Sequence, residues 1–530
     1  MTVYNAKKAL ALLVVAASGV VHASNFSAPS TACQFFSQNY GNLTSFPNST
    51  IYTDINTAYW DAGASLGPAC IFSPSSADLM SVAVKTLVDY NVPFAIKGGG
   101  HMAVAGSNNI NSTGVLLSGY NMNRVELSDD HSTVHIGPGN KWGTVMDYLE
   151  GYNLSVVGGR MSIVGVAGLL TGGGMSNFGN EYGWASSNIK SYECVLANGD
   201  IALVEADGPY SDLFWALRGG GNSFCIVTDF ELNTLPVPAF TAGERTYTAA
   251  EGDKFLDAVY YMAVNPNPDV KGALTPVANA GSSQNETTYR TMMFYNGNDT
   301  TPEFYANFSS PILVPDTDTY GPMTGMGAAA TLMSEGTDQI EGFQEAWWFF
   351  TIQANREALQ LVHDTYLSMI ADYFADVDIW ISGLAMNIIS KEYVLAGIAN
   401  GGPDPIGLDP ELAPYIMFEE SITWYEAADD AVVDAFYDAF NANITAQLEP
   451  FNVLSPFVYL NDANGNQDVF GGYPAENVER LQQIRAKYDP DMVYTNLMYG
   501  GWKVAHANVS DAQVSDAQVS KAQVSKGTCN

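Results

Sequence analysis

The sequence predicts an α+β fold in two domains. Three observations support this class. The chain has 530 residues, 47% of them hydrophobic and 12% aromatic, and it exceeds the size at which a single core stops growing. Helical and strand-like patterns alternate through its first half. A helix, a strand and a glycine turn also follow one another, whereas a dinucleotide-binding fingerprint has the order strand, turn, helix, so a doubly wound sheet is disfavoured.

The first half of the chain shows this alternation clearly. A helical pattern over residues 76–90 leads into a buried-strand pattern over residues 92–96, which ends at a glycine turn. Asn198-Gly199 is a hairpin signal that joins two further strands. The other predicted elements are a helix over 142–149 and strands over 114–117, 133–136, 192–197, 201–204 and 225–230.

Two prolines in the segment Leu235-Pro236-Val237-Pro238 predict a domain boundary, because they interrupt any regular element. We therefore assign residues 24–237 to a first domain and residues 238–450 to a second. Residues 451–505 are again rich in glycine and tyrosine and are expected to return to the first domain. The second domain is predicted to contain helices over 341–353 and 355–370 and a strand over 415–424.

The two ends of the chain are predicted to lie outside the folded domains. Residues 1–23 have the pattern of a secretory signal peptide, with Lys7 and Lys8 before an apolar run too short to span a membrane. Ten Asn-x-Ser/Thr sequons agree with a secreted, soluble glycoprotein, although an N-terminal membrane anchor is the alternative. Residues 506–530 contain Val-Ser-Asp/Lys-Ala-Gln repeats and are predicted to be disordered, with a stalk or a partner-binding segment as alternatives.

The charge of the chain limits its partners. Its formal net charge is −35, so nucleic acids and anionic membrane surfaces would be repelled. No spacing of cysteine and histidine suits zinc, and no metal site is expected. The expected partner is a small, neutral substrate, and a monomer is the expected state.

The five cysteines predict one disulfide. Cys33 and Cys70 flank the start of the folded region and are expected to pair. Cys194 and Cys225 lie in apolar, strand-like runs and are expected to be buried thiols. This leaves Cys529 near the C-terminus, either as a free thiol or in a disulfide with another molecule.

Two glycine-rich segments carry the strongest functional signal. The first is Lys97-Gly98-Gly99-Gly100-His101, and the second spans residues 158–174. Glycine has no Cβ, so its backbone N–H groups can approach a bulky anionic or planar ligand. The histidine would place a nucleophilic imidazole against that ligand. The pair of segments therefore predicts a cofactor site with one reactive side chain.

Four segments in order resemble the vanillyl-alcohol oxidase superfamily of flavoproteins, and within it the fungal berberine-bridge-enzyme-like branch. They are residues 97–101, 158–174, 212–222 and 499–503. The resemblance extends from Cys33 to Lys503. It implies a PCMH-type FAD-binding domain of two subdomains, a substrate domain whose antiparallel sheet is covered by helices, and a C-terminal segment that returns to the FAD domain.

The resemblance also implies how the flavin is held. His101 matches the histidine bonded to the flavin 8α-methyl carbon, although a histidine satisfied within its turn is the alternative. Met161 stands where many relatives have a second, cysteine attachment, so only monocovalent FAD is expected. Val164 matches a small residue associated with oxygen access, which favours O2 as the acceptor. The residues expected to contact FAD are Lys97, Gly98, Gly99, Gly100, His101, Gly106, Ser107, Gly159, Val164, Gly165, Gly168, Gly172, Gly173, Ile226, Val227 and Asn461.

Two carboxylates are candidates for the catalytic base. Relatives have an acidic or amide residue five positions before a tryptophan, which implies Glu419 before Trp424. Strand alternation would place Glu419 and Glu420 on opposite faces, and burial over a flavin would raise the pKa of the inward carboxyl. The alternative is that both are solvated on an edge strand. Asn461-Asp462 replaces the family's Asn-Tyr, so Asp462 is the second candidate base.

These residues together predict a secreted FAD oxidase that acts on a CH–OH or related C–H donor and releases H2O2. A carbohydrate is the first substrate class, and an aromatic alcohol or a secondary-metabolite intermediate, including one that is oxidatively cyclised, is the second. A non-catalytic glycoprotein on the same scaffold is the alternative, since Ala103, Leu169 and Asp462 replace residues common in the family's active sites.

Overall fold

The computed structural model describes residues 27–265, 269–281, 284–334 and 338–508. Three β-sheets with packed helices form the protein, which confirms the predicted α+β class. The predicted signal peptide, Cys529 and the repeats from residue 509 onward lie outside the described residues. No helix in the described ranges is long and apolar enough to cross a bilayer.

The first sheet holds the glycine turn at the end of one of its strands. Its strand order is β1-β2-β4-β3, and the β2, β3 and β4 strands run parallel. The predicted disulfide is present, since Cys33 Sγ lies 2.03 Å from Cys70 Sγ and joins the first helix to β2. The strands are β1 (Thr44–Ser45), β2 (Cys70–Phe72), β3 (Phe94–Lys97) and β4 (Val115–Ser118), and the helices are α1 (Ala28–Asn39), α2 (Thr50–Thr57) and α3 (Ala77–Asp89).

The second sheet is antiparallel, with strand order β5-β6-β10-β8-β9 and β7 paired to β10. The predicted hairpin at Asn198-Gly199 is confirmed: Gly199 has a φ of +78°, which an L-residue rarely adopts. The strands are β5 (Val125–Leu127), β6 (Thr133–Ile136), β7 (Leu154–Val156), β8 (Ile189–Val195), β9 (Ile201–Glu205) and β10 (Ile226–Pro236). The helices are α4 (Trp142–Glu150), α5 (Val166–Thr171), α6 (Gly179–Tyr182) and α7 (Ser211–Ala216).

The third sheet begins directly after Pro236 and is antiparallel, with order β14-β11-β13-β12-β17-β18-β16-β19 and β15 paired to β11. Helices α8, α10 and α12 pack on one face, and the other face shares a hydrophobic core with the second sheet. The strands are β11 (Phe240–Tyr247), β12 (Gly272–Gly281), β13 (Gln284–Tyr295), β14 (Thr317–Asp318), β15 (Gly321–Met323), β16 (Gln344–Gln353), β17 (Ile379–Ile389), β18 (Tyr415–Trp424) and β19 (Leu454–Ser455). The helices are α8 (Gly252–Val264), α9 (Met326–Ser334), α10 (Arg356–Tyr373), α11 (Lys391–Gly401) and α12 (Asp430–Leu448).

The helix predicted over residues 341–353 is wrong, because this segment forms strand β16. Its apolar run includes Trp347 and Trp348, which point to opposite faces of the sheet and are covered on both sides. A strand covered on both faces is continuously apolar, so its sequence lacks the alternation that identifies a half-buried strand.

The C-terminal segment packs back on the second sheet's helices. Helix α13 (Ala475–Tyr488) lies against α7, where Lys487 Nζ and Tyr488 Oη contact Asp212 at 2.7 and 2.6 Å. Further along, Lys503 Nζ donates to Asn222 Oδ1 at 2.7 Å. These contacts place the C-terminal segment against helix α7 and the residues that follow it.

The remaining cysteines follow the prediction. Cys194 on β8 and Cys225, directly before β10, are buried, and their sulfur atoms are 2.8 Å apart. Within the part of the chain that the structure describes, no group of three or more His, Cys, Asp or Glu side chains could hold a metal ion.

Candidate active site

A cavity lies where the three sheets meet, and it collects most of the residues predicted from the sequence. The first glycine turn, residues 160–169, the start of β10, strands β16 and β18, and residues 459–462 all contribute to it. The predicted residues in its lining are Lys97, Gly98, Gly99, Gly100, His101, Ser107, Val164, Gly165, Gly168, Ile226, Val227, Glu419, Asn461 and Asp462.

Four predicted contact glycines, Gly106, Gly159, Gly172 and Gly173, are not among the residues that line this cavity. A Cβ on Gly159 would overlap the Trp142 ring, and one on Gly172 would overlap the Asn461 amide. Gly106 and Gly173 have φ angles of +85° and +109°, which favour glycine. The structure therefore gives these positions a packing or backbone role in supporting the lining.

The two glycine segments touch each other. A Cβ on Gly99 would overlap the Gly165 backbone, and a Cβ on Gly165 would overlap Gly99 in return. The backbones of Gly165 and Lys141 also form an isolated antiparallel β-bridge, and this contact fixes the start of α5. Because side chains are absent on both sides, the two backbones form one continuous wall of the cavity.

His101 lies in this wall among aromatic rings. Its imidazole centroid is 4.8 Å from that of Trp60 and 5.8 Å from that of Trp347, and these two indole rings stack at 4.9 Å. Burial, together with the nearby positive charge of Lys141, lowers the pKa of His101 to about 3. The imidazole is therefore neutral at ordinary pH and keeps a lone pair for nucleophilic attack.

Lys97 contributes backbone rather than charge to the cavity. Its ammonium donates to the carbonyl oxygens of Ile55 at 2.5 Å and Ala58 at 2.8 Å, and it lies 3.7 Å from the centre of the Tyr59 ring. Burial lowers the pKa of Lys97 to about 7. This side chain holds the loop that carries Trp60 beside His101.

The lining fits FAD. The wall is rich in glycine and carries apolar side chains such as Val164, Ile226 and Val227, which suit a planar flavin ring. Ser107 Oγ and Asn108 Oδ1 are buried in this lining, and within the described residues neither has a hydrogen-bond partner. Buried polar atoms without partners are costly, so these two atoms are suited to a polar ligand.

Glu419 reaches the cavity from the middle of the third sheet. It stands opposite Phe349 on β16 and Ala385 on β17, so β18 is a central strand and not the edge strand of the alternative prediction. Glu420 points to the other face and is fully buried. Burial raises the pKa of Glu419, and the positive charge of Arg160 partly opposes this effect.

Asp462 reaches the same cavity from the end of a short 3-10 helix (Leu460–Asp462), and neighbouring hydrogen bonds hold this segment in place. Asn461 Nδ2 donates to the Leu169 carbonyl at 3.0 Å and to Tyr459 Oη at 2.9 Å. Asn464 Nδ2 donates to the Trp347 carbonyl at 2.8 Å. Burial raises the pKa of Asp462 well above its ordinary value, and the nearby charge of Glu419 raises it further.

Arg160 is a site residue that sequence analysis missed. Its Nη1 atom donates to Thr275 Oγ1 at 2.6 Å and to Asn387 Oδ1 at 2.9 Å, which fixes the guanidinium over strands β12 and β17. Its charge acts on both Glu419 and Asp462. The only signal was its place directly after Gly158-Gly159, where a long cation interrupts a run of small residues.

Comparison with known proteins decides the family. The profile of a family described as FAD binding domain matches residues 68–204. The FAD-dependent monooxygenase prx3 of Penicillium roqueforti is 31% identical, over 94% of this chain and 98% of the relative. The protein belongs to the same family of FAD-dependent oxidoreductases as prx3. The FAD-dependent monooxygenase tpcD of Cochliobolus heterostrophus is 29% identical to this oxidoreductase over 87% of the chain and 89% of the relative.

Solved structures show that this FAD-dependent oxidoreductase shares its fold with a xylooligosaccharide oxidase and with berberine bridge enzyme. Xylooligosaccharide oxidase from Myceliophthora thermophila matches with a TM-score of 0.71 at 21% identity, over 90% of this chain and 100% of that one. Berberine bridge enzyme from Eschscholzia californica matches with a TM-score of 0.70 at 17% identity, over 91% and 99%. The family membership establishes FAD as the cofactor and disfavours a non-catalytic glycoprotein.

Proposed function

We propose that this oxidoreductase is a secreted oxidase that removes a hydride from a CH–OH or related C–H donor and reduces O2 to H2O2. The observation that carries the proposal is the cavity itself. It places the carboxyl groups of Glu419 and Asp462 opposite a glycine wall that fits FAD and contains the neutral imidazole of His101. FAD, when bound, supplies the hydride acceptor.

The chain's own residues hold and tether the cofactor in this proposal. Gly98, Gly99 and Gly165 form the wall, and the unpartnered oxygens of Ser107 and Asn108 accept hydrogen bonds from the ligand. His101 is the covalent attachment site, because its neutral nitrogen can add to an electrophilic carbon. Met161 also lines the cavity, but its thioether has no thiol with which to form a second bond.

The acidic residues remove the donor's hydroxyl proton. A carboxyl group whose pKa is raised by burial is a stronger base when ionised than a solvated one, which suits proton abstraction near neutral pH. Tyr459 Oη accepts hydrogen bonds from Met175 N and Asn461 Nδ2, both at 2.9 Å. Both of its lone pairs are then occupied, so its own proton is available to a group in the cavity.

The substrate is a neutral alcohol, either a carbohydrate or an aromatic alcohol. The net charge of −35 disfavours polyanions. The indole ring of Trp347 lines the cavity beside His101 and offers a flat apolar face to a sugar or an aromatic ring. Val164 lies in the same lining, at the position where the family resemblance associates a small side chain with oxygen access.

A coupled screen tests this proposal. Purified protein is assayed for O2 uptake and H2O2 release with mono- and oligosaccharides, aromatic alcohols and phenols. The expected result is equal uptake and release with at least one donor, and a loss of at least 100-fold in the Glu419→Gln variant. Glu420→Gln is the matched control, because its side chain faces away from the cavity. Protein with oxidised-flavin absorbance but no O2 uptake with any donor would overturn the oxidase proposal.

Monooxygenation is a second candidate, favoured by the printed names of curated relatives such as the 31% identical prx3. In that reaction one oxygen atom of O2 enters the product and the other leaves as water. Turnover under 18O2 separates the two candidates. Labelled product without peroxide indicates a monooxygenase, whereas unlabelled product with stoichiometric peroxide indicates an oxidase.

Secretion and the covalent tether need separate measurements. The signal-peptide pattern predicts a mature protein that begins at Ser24 and carries N-linked glycans. Mass spectrometry of protein from the culture medium, before and after deglycosylation, checks both. A peptide that contains His101 and carries the mass of FAD would support the tether, and unmodified His101 in a protein that retains flavin would exclude it.

A further inference from the structure

The cavity lining contains two carboxyl groups and one cation that faces them. Among the described residues of the lining, Lys97 and Arg160 are the cationic side chains, and the Lys97 ammonium is occupied by backbone carbonyls. The guanidinium of Arg160 acts on Glu419 and on Asp462. The lining therefore balances two potential negative charges with a single positive charge.

The side chain of Gln467 joins the segment after Asp462 to the strand beside Glu419. Gln467 Oε1 accepts from Phe349 N at 3.1 Å and its Nε2 donates to Phe349 O at 2.6 Å, which ties the loop after Asp462 to β16. Phe349 is the register partner of Glu419 on the adjacent strand. The loop that carries Asp462 is thus fixed to the residue beside Glu419, and the charges of the two side chains interact.

Charge balance then limits how many protons the two carboxyl groups hold. With no proton, two anions would share a poorly hydrated cavity with one guanidinium, and with two protons that guanidinium would have no counter-ion. One proton makes the set of three side chains neutral. Adjacent carboxyl groups in such a site titrate as a pair, because ionisation of one opposes ionisation of the other.

We infer that Glu419 and Asp462 share one proton and act as a pair, in which the ionised member is the base and the protonated member is a hydrogen-bond donor to the substrate. This inference rests on the proposed function and refines its substrate class. When the ionised member engages the reacting hydroxyl, the O–H of the protonated member turns to a second oxygen of the substrate, such as the neighbouring oxygen of vicinal diols, sugars and hydroxycarbonyl compounds.

The step balances in atoms and electrons. The donor's O–H bond breaks and its proton moves to the ionised carboxylate, while the C–H bond breaks and its electron pair leaves with the hydrogen as hydride to the oxidised cofactor. The donor becomes a carbonyl compound. O2 then receives the hydride and the extra proton from the pair and becomes H2O2, which returns the pair to its single proton.

Infrared difference spectroscopy of the flavin-loaded protein tests the shared proton without any donor. The carbonyl stretch of a protonated carboxyl group is compared between wild type and the variants Glu419→Gln and Asp462→Asn at pH 7. Sharing predicts that either substitution alone removes one protonated carboxyl band, since the remaining carboxylate then faces Arg160 without a like charge. Glu420 has a buried carboxyl group on the other face of the sheet, and its infrared band should be lost only in Glu420→Gln.

Two results would overturn the inference. If one single variant retains the band, the proton belongs to the other residue alone. If wild type shows no protonated carboxyl assignable to either residue, both are ionised and no pair exists. Circular dichroism and flavin absorbance show whether each isosteric variant is folded and loaded, and Arg160→Lys, which keeps the charge, should keep the band.

Kinetics provide a second readout where a donor is found. Each single variant should lose at least 100-fold in flavin reduction rate, and the double variant should lose at most about 10-fold more, because residues that act as a unit are not additive. Removal of the neighbouring oxygen from a donor should lower kcat/KM for that donor by at least 10-fold. Equal kcat/KM values with and without this oxygen would contradict the substrate class. If no donor is oxidised, the proposed function fails, but the infrared result still decides the pair.

Discussion

Covalent attachment of FAD through His101 should be almost independent of pH between 7 and 5. Only the neutral imidazole has the lone pair that attacks the cofactor, so the rate follows the neutral fraction. The rings of Trp60 and Trp347 enclose His101 at centroid distances of 4.8 and 5.8 Å, and burial lowers its pKa to about 3. The experiment lowers the pH of the attachment reaction. A second experiment replaces Trp60, which exposes His101 to solvent.

The structure sets the size of the effect. A histidine with the ordinary pKa of about 6.5 would be about 75% neutral at pH 7 and about 3% neutral at pH 5, a loss of about 25-fold. With a pKa of about 3, His101 stays about 99% neutral at pH 5, and the rate should change by less than about 2-fold. In Trp60→Ala the pKa should return toward 6.5 and the loss should approach 25-fold, whereas Trp60→Phe should retain the wild-type profile.

The assay starts from apoprotein made under riboflavin starvation and mixed with saturating FAD. Samples are quenched in acid, and covalent flavin is measured as fluorescence of the protein band on a denaturing gel. Quenching of free FAD fluorescence reports non-covalent binding at each pH. A loss near 25-fold in wild type with unchanged binding would refute the buried, neutral histidine. Absence of covalent flavin at every pH would refute the tether.

Three further predictions concern the scaffold. Gly99→Ala should lose most of the bound flavin absorbance, because the added Cβ overlaps the backbone of Gly165. Gly41→Ala is the control, since its Cβ would enter open space and the flavin absorbance should be kept. Equal flavin content in the two variants would contradict this prediction. Burial raises the pKa of Glu345 to about 9. Between pH 4.5 and 9 this carboxyl ionises in the unfolded chain but stays protonated in the folded protein, so the free energy of unfolding falls as pH rises. Glu345→Gln should therefore match wild type at pH 4 but melt several degrees higher at pH 8, with up to about 5 kcal/mol recovered, and equal melting temperatures there would refute it. Cys33→Ser, which opens the disulfide to Cys70, should lower the free energy of unfolding in urea by about 4 kcal/mol, given a sequence separation of 37, and an unchanged midpoint would refute it.

The local sequence pattern predicted a helix or strand correctly where the segment has one clear hydrophobic period or one strong turn signal. The strand predicted over residues 133–136 and that over 415–424 have the bounds of β6 and β18, and the predicted helix over 76–90 contains α3. The segment over 341–353 failed because burial on both faces removes the period on which such a prediction depends. Whether a strand is covered on both faces is a property of its neighbours in space.

The site residues also fall into those that the sequence predicts and those that depend on the neighbours in space. His101, Glu419 and Asp462 could be named from motif positions, but nothing in the sequence shows that the two carboxyl groups line one cavity. Arg160 was missed because its partners, Thr275 and Asn387, are more than 100 residues away. Long-range contacts of this kind leave no periodic trace in the residues that make them.

The sequence by itself determined the chemistry available to this protein: the glycine segments that admit a cofactor, the histidine beside them, and the methionine that lacks a thiol. These depend on side-chain identity, and a backbone without Cβ atoms or a side chain without a thiol behaves the same way in any fold. The tertiary structure decided the electrostatics. The low pKa of His101 and the raised pKa values of Glu419 and Asp462 come from desolvation and from charges on distant segments, and only the packed sheets bring those groups together.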